Sequence, residues 1–241
     1  MRILALDSSG LVASVAVVED DQLIAEYTVN YKKTHSQTLL PMLDEIVKLT
    51  ELDLDTIDAI AVSGGPGSFT GLRIGSATAK GLGLALKKPL IHIPTLEGLA
   101  YNLCGSADIV CPIMDARRGQ VYTGIYEFDE NGLIILEDQM AVSIEELGGK
   151  LKEHMKKTGK KVVFLGDGVP VFKEKLAETI MAGESIFFAP ANVNRQRAAS
   201  VGTLGIRYYR EGKIESAADY QPDYLRVSQA ERERKERLSH D

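Results

Sequence analysis

The sequence predicts an α/β protein of two lobes, each of order βββαβα. Three observations predict it. Strand-length apolar runs alternate with helix-length amphipathic segments along the chain. One pattern is written twice: LALDSSGLVASVAVVEDDQLI and PIMDARRGQVYTGIYEFDENGLII align Asp7 with Asp115 and turn with turn, and AVSGGPG matches VFLGDGV after the first helix of each half. The repeated unit is also too long, and repeated too few times, for a solenoid. At 241 residues and 44% apolar content, the chain can fill a real core.

In the first half, Arg2 to Asp7 reads as a buried strand, Val12 to Val18 as a second and Gln22 to Asn30 as a third. A helix from about Thr34 to Thr50 follows, with Thr34 or Ser36 as its cap, then strand Ile57 to Ser63. The Gly-rich loop Gly64 to Gly71 leads into a helix of about Arg73 to Leu86. In the second half, Ile109 to Asp115, Val121 to Phe128 and Leu133 to Val142 read as strands. A helix of about Ser143 to Lys157 has Ser143 and Glu146 at capping-box spacing. Strand Val162 to Leu165, helix Pro170 to Met181, strand Ser185 to Ala189 and helix Gln196 to Glu211 follow, then the segment Tyr220 to Val227. The lobes are thus residues 1–105 and 106–219, with the tail 220–241 a candidate to pack back on the first.

Composition narrows the function. A formal charge of −6 argues against a surface that grips a phosphate backbone unaided, since that binding needs clustered Lys and Arg. The mixed-sign run AERERKERLSHD reads as a solvated helix or tail. No apolar run approaches the ~20 residues that span a bilayer, and MRILALDSSG runs straight into a strand with no signal-peptide core, so no membrane segment and a cytoplasmic location are expected. Cys104 and Cys111 read as buried free thiols.

Two lobes of this order are similar to the sugar kinase, Hsp70 and actin superfamily, an actin-like ATPase, ribonuclease H-like fold whose inter-lobe cleft holds ATP. That likeness carries no function by itself. Asp7, Ser8 and Gly10 form a candidate first nucleotide loop; Asp115, Gly166 and Gly168 are their degenerate counterparts in the second half. Arg117 and Arg118 can offset phosphate charge but cannot coordinate Mg²⁺, which prefers oxygen ligands. Asp7 reads equally as a turn carboxylate at a strand end.

The segment Ser63 to Arg73 joins a buried strand to a helix start, where unpaired N–H groups favour an anion. It is neither a Walker loop nor a GxGxxG fingerprint. Tight turn packing is one reading; a contact built on Gly67, Ser68, Phe69, Thr70 and Arg73 is the other. On the helix before it, Leu39, Leu40, Met42, Leu43, Ile46, Val47 and Leu49 cover about half the circumference, wider than one sheet requires. The following helix is rich in small residues, Ala77 and Gly81 among them, so another backbone can approach closely. Leu39, Leu40, Leu43 and Val47 are therefore expected in a helix-pair seam with another subunit, the alternative being coverage by the chain's own second lobe.

The motifs ILALDSS, HSQTLLPML, AVSGGPGSFTGLRIG and PDYLR resemble the bacterial TsaB family, also called YeaZ, over nearly the full length. The resemblance implies a non-catalytic subunit that acts with the catalytic paralogue TsaD and the ATPase TsaE to make threonylcarbamoyladenosine at position 37 of tRNA. It implies no metal or cofactor required by this chain, ATP and metal on the partner subunits, and tRNA reached through the complex; the exposed apolar helix face separately predicts a homodimer when the partner is absent. The paralogue's His-x-x-x-His metal motif is here His35 followed by Leu39, so the second ligand is missing. His35 is read as a helix-start or interface residue, His92 as a packed core histidine, and His154 and His240 as lacking partners. Two other classes compete: a stand-alone ATPase or kinase using Asp7, Gly10, Asp115 and Gly166-Asp167-Gly168, and a metallopeptidase, for which no HExxH motif exists.

Overall fold

The computed structural model describes residues 1–31 and 34–225; Arg226 of the PDYLR motif, Val227, the run AERERKERLSHD and His240 lie outside the described residues. The first half contains β1 (Arg2–Asp7), β2 (Ala13–Glu19), β3 (Gln22–Val29), α1 (Leu39–Thr50), β4 (Ala59–Gly65), α2 (Phe69–Leu86), β5 (Leu90–Pro94) and α3 (Thr95–Ala100). The second contains β6 (Ile109–Asp115), β7 (Gln120–Asp129), β8 (Gly132–Ser143), α4 (Ile144–Thr158), β9 (Val162–Leu165), α5 (Val169–Lys175), β10 (Ile186–Phe188) and α6 (Ala198–Arg210).

Each half forms a five-stranded sheet of the same order, β3-β2-β1-β4-β5 and β8-β7-β6-β9-β10. The repeat is therefore real and longer than predicted, βββαβαβα in both halves. In the first half the extra strand and helix, β5 and α3, have five and six residues, too short to show a period. The first three strands of each half pair antiparallel and the remaining pairings are parallel. Central strands β1 and β6 are buried on both faces, which explains their near-continuous apolar sequence.

Helix starts are partly as predicted. Ser143 Oγ accepts from Glu146 N at 3.1 Å and caps α4. Neither Thr34 nor Ser36 caps α1: a 3₁₀ turn spans His35–Gln37, and α1 starts after Thr38, which makes no side-chain cap. Helix α2 starts at Phe69, four residues before the predicted Arg73, and is capped by Ser68 Oγ accepting from Gly71 N at 3.3 Å.

The two sheets are joined by exchanged helices. Helices α1 and α2 cover one face of the first sheet, but its other face is covered by α6, through Ala198, Val201, Leu204 and Ile206 against Ile3, Ala5, Val18 and Ala61. In return, Leu96, Leu99 and Ala100 of α3 pack on the second sheet against Val110, Met114 and Tyr126. Close approach is built into α6: a Cβ at Gly202 would lie 2.7 Å from Val18 Cγ2, and one at Gly205 2.9 Å from Ala61 Cβ. Where the two helices meet, the Tyr208 hydroxyl donates to the buried Glu97 carboxylate, whose protonated form burial favours.

The chain then returns to the first sheet. Glu215 bridges to Leu90, Ala217 and Tyr220 enter the core, and Asp223 N donates to Gly64 O at 2.6 Å. The Asp223 carbonyl would lie 2.0 Å from a Cβ at Gly65, whose φ of +129° also favours glycine.

Leu39, Met42, Leu43 and Ile46 are 1%, 4%, 5% and 4% exposed, because they are the stripe of α1 that packs on the sheet. Leu39 and Leu43 are thus core residues rather than members of an open seam, and Val47 packs partly against the same core. Leu40 and Leu49, 53% and 76% exposed, lie on opposite sides of that stripe, about 180° apart round the helix.

This division predicts opposite outcomes on one helix. Leu43→Ala is expected to lower unfolding free energy by about 2–5 kcal/mol and Leu40→Ala by less than about 0.5 kcal/mol, read by urea denaturation of the isolated chain. Gly202→Val is expected to wedge α6 off the first sheet, costing about 1–3 kcal/mol in the same assay.

Candidate functional site

The end of β1 is a closed knot. Asp7 is 2% exposed, and both carboxylate oxygens are occupied. Oδ1 accepts from Ser9 N at 2.9 Å and Ser9 Oγ at 2.7 Å, and Oδ2 accepts from Ser63 Oγ at 2.5 Å, which ties β1 to β4. Burial pushes this carboxyl above its ordinary range, opposed by the Ser63 and Ser9 hydrogen bonds and by His35.

The glycine-rich segment packs directly on this turn. A Cβ at Gly67 would lie 2.3 Å from Ser9 O, one at Gly71 2.1 Å from Ser8 O, and one at Gly75 2.4 Å from Ser8 Oγ. Ser68 N donates to Ser9 O at 2.6 Å and Ser8 Oγ donates to Gly71 O at 2.9 Å. Two amides that an anion would use, those of Ser68 and Gly71, thus have acceptors within the chain. Arg73 lies over the Phe69 ring at 4.1 Å, and that ring stands 4.7 Å from Tyr224, so the aromatic–cation pair is fixed against the returning C-terminal segment.

Between the halves lies a cavity of about 630 Å³. The first half supplies Ser9, Gly10, Leu11, His35 and the Gly67–Phe69 loop, and the second supplies Met114, Asp115, Arg117, Tyr122 and Asp167. A neighbouring cavity of about 330 Å³ shares Leu11, Asp115, Arg117 and Asp167 and adds Arg195 and Gln196. Its carboxylates are neutralised locally. Asp115 accepts from Arg117 N at 2.8 Å and pairs with the Arg117 guanidinium at 3.1 Å. Asp167 Oδ1 accepts from Asp115 N at 3.2 Å; burial raises its pKa, opposed by that hydrogen bond and by Arg195, with the Asp115 charge adding to the rise. Arg195 itself donates to Gly166 O at 2.7 Å.

Of the predicted nucleotide-loop residues, Gly10 and Asp115 face the cleft. Asp7 and Ser8 lie beneath it, each 2% exposed. Gly166, at φ +107°, is pressed against Ile113 O, and Gly168 N donates to the same carbonyl at 3.0 Å, so both serve the start of α5. Arg195 and Gln196 were not legible as site residues: Gln196 reads as the start of the last helix, but α6 begins at Ala198 and both residues sit in the coil before it. His35 Nε2 contacts Gly10 O at 2.9 Å; its Nδ1 and Gln196 Nε2 are buried without a hydrogen-bond partner among the described residues. Among those residues no three His, Cys, Asp or Glu side chains converge as metal ligands.

Elsewhere, Thr70, Arg73, Ala77, Gly81 and Leu84 form an exposed line along α2 at helical spacing. Leu84 is 62% exposed, and a Cβ at Gly81 would meet nothing within 4 Å. His92 lies within β5, half-buried, with its ring against Gly64 and 5.8 Å from that of Tyr220. Two expectations need correction: His154 contacts Glu137 at 3.3 Å because α4 packs along β8, and Cys104 is exposed because it follows a short 3₁₀ turn at the surface.

The profile of the family described as TsaD, tRNA N6-adenosine threonylcarbamoyltransferase, matches residues 22–234. The chain is 34% identical to the tRNA threonylcarbamoyladenosine biosynthesis protein TsaB of Bacillus subtilis (strain 168), covering 96% of each chain. It is 32% identical to the protein of the same name from Escherichia coli (strain K12), covering 94% of this chain and 95% of the relative. A solved structure, YeaZ from Pseudomonas aeruginosa, superposes with a TM-score of 0.76 at 24% identity, covering 93% of this chain and 99% of that one, and shows the shared fold. That fold is the duplicated α/β arrangement of two five-stranded mixed sheets. By its sheet order and by these two relatives, matched over nearly its entire length, the chain belongs to the bacterial TsaB (YeaZ) family.

Proposed function

We propose that this chain is the non-catalytic scaffold and activating subunit of the complex that makes threonylcarbamoyladenosine at position 37 of tRNA in the cytoplasm. In this reading it pairs with a TsaD-like catalytic paralogue and works with a TsaE-like ATPase, which between them supply the metal and ATP chemistry. The names of the curated relatives support the pathway. The observation that carries the subunit role is the exposed line Thr70, Arg73, Ala77, Gly81 and Leu84 on α2.

Physical chemistry favours pairing there. Small side chains at positions 77 and 81 let another helix approach closely, and the exposed Leu84 of α2 and Leu40 of α1 supply apolar area to bury. A paralogue of the same fold offers an equivalent face, so a pseudo-symmetric dimer is the natural geometry, and a second copy of this chain takes the partner's place when it is absent. Gly67 and Ser68 hold the start of α2, while Phe69 and Arg73 stand at its exposed end. The cleft argues in the same direction. Its Asp7 is consumed by internal hydrogen bonds and its Asp115 by Arg117, so neither side chain is free for phosphate or metal chemistry.

Reconstitution with the TsaD-like and TsaE-like partners, threonylcarbamoyl adenylate, ATP and unmodified tRNA tests this. Modified nucleoside should form only with all subunits present. Ala77→Arg/Gly81→Arg should cut it about tenfold or more, corresponding to at least ~1.4 kcal/mol of lost association, and abolish co-elution while its far-ultraviolet circular dichroism matches the native chain. Product from this chain alone, or full activity of the double variant, would falsify the reading. In the partner's absence, the same variant should sediment as a monomer where the native chain sediments as a dimer.

A further inference from the structure

At the end of the second sheet opposite the cleft, lysines from separate elements converge. Lys152 and Lys156 of α4 and Lys160 and Lys161 of the turn before β9 line a shallow depression of about 560 Å³, completed by Met155, Gly159, Gly183, Ser185 and one carboxylate, Glu184. The sequence from Lys150 to Lys161 holds six lysines against a single glutamate, Glu153, in a chain whose net charge is −6. Lys160 is engaged with Glu127 at 2.7 Å; among the described residues Lys152, Lys156, Lys157 and Lys161 make no ion pair. All four are exposed.

Helix chemistry explains part of this. Lys156 and Lys157 occupy the last turn of α4, where cations complement the helix dipole. That does not place Lys152 a turn earlier, or Lys161 beyond the helix. Gly159 and Gly183 are set by the backbone, Gly159 as the left-handed cap of α4 at φ +69° and Gly183 at φ +83°, and they leave the surface between the lysines open. Beside the depression Phe187 is 48% exposed, with Lys161 Nζ 5.3 Å from its ring centre. A row of lysine point charges with no arginine fork, outnumbering the single Glu184 and lying beside an exposed aromatic ring, suits a linear polyphosphate with bases attached better than a single phosphate group.

We infer that the Lys152, Lys156 and Lys161 face is a direct, sequence-independent contact for the phosphate backbone of RNA. It deepens the function proposed above and rests on it for the identity of the RNA. The seven-residue β6 runs from beside this face to Asp115, so the contact sits about 20 Å from the cleft. The RNA would therefore lie along the second sheet rather than enter the cavity. The charge is negative in total but segregated.

The test uses labelled, unmodified tRNA and the full chain, alone and in the reconstituted complex, titrated at salt from about 50 to 200 mM. Lys152→Gln/Lys156→Gln/Lys161→Gln is compared with Lys48→Gln/Lys87→Gln in the first half. The triple variant should bind about tenfold or more weakly at the lowest salt, with a log–log salt slope shallower by about two to three, while the control matches the native chain. Unchanged affinity and slope in both forms, or no RNA binding by the native protein in either form, would overturn the inference. So would loss of partner co-elution with RNA binding intact, which would make the face an acidic-protein contact. A lowered slope in a complex that makes no modified nucleoside would sustain this contact and sink the proposed function instead.

Discussion

Everything in the first half hangs on the absence of Cβ atoms between the β1–β2 turn and the start of α2. Ser8 and Ser9 sit within 2.1–2.4 Å of where side chains at Gly67, Gly71 and Gly75 would begin. The Asp7–Ser9–Ser63 network holds that turn rigid against β4. Because the turn is fixed, α2 must begin at Phe69 and lie along the first sheet at one height, which puts Thr70, Arg73, Ala77 and Gly81 on its outer face. The same packing turns Asp7 inward and directs the Ser68 amide at Ser9 O. One steric constraint thus closes the cleft's first loop and presents the helix surface.

The exchanged helices give the molecule its second constraint. Helix α3 belongs in sequence to the first half and covers the second sheet, while α6 does the reverse, and the Tyr208–Glu97 hydrogen bond lies where they meet. Neither sheet has a complete core without the other half's last helix. The two five-stranded sheets are therefore halves of one folding unit, and the cleft between them is bounded by shared structure rather than by a flexible linker.

What the sequence disclosed follows from how each signal arises. Strands β1, β4 and β6 were legible because both faces are buried and the apolar run is continuous, and Ser143 with Glu146 marked the start of α4. The start of α2 was not, because Gly67 and Gly71 read locally as loop; only their contact with Ser8 and Ser9, nearly sixty residues away, shows them as packing positions. Which flank of α1 is covered was equally out of reach. Its apolar residues span half the circumference, and the choice of Leu39 and Leu43 for the core over Leu40 and Leu49 is made by the sheet beneath. Segregated charge also escapes a net count of −6: the run Lys150 to Lys161 stood in the sequence, and the fold adds that Lys152, Lys156 and Lys161 line one depression.

The central claim is that this chain acts through the outer face of α1 and α2 and not through its cleft. Hydroxyl-radical footprinting with and without the TsaD-like partner tests it most directly. Leu40 and Leu84, 53% and 62% exposed, are expected to lose most of their oxidation on complex formation, while Leu11 at the cleft, 49% exposed, keeps its own. Protection of Leu11 with Leu40 and Leu84 unchanged would contradict the account and return the site of action to the cleft.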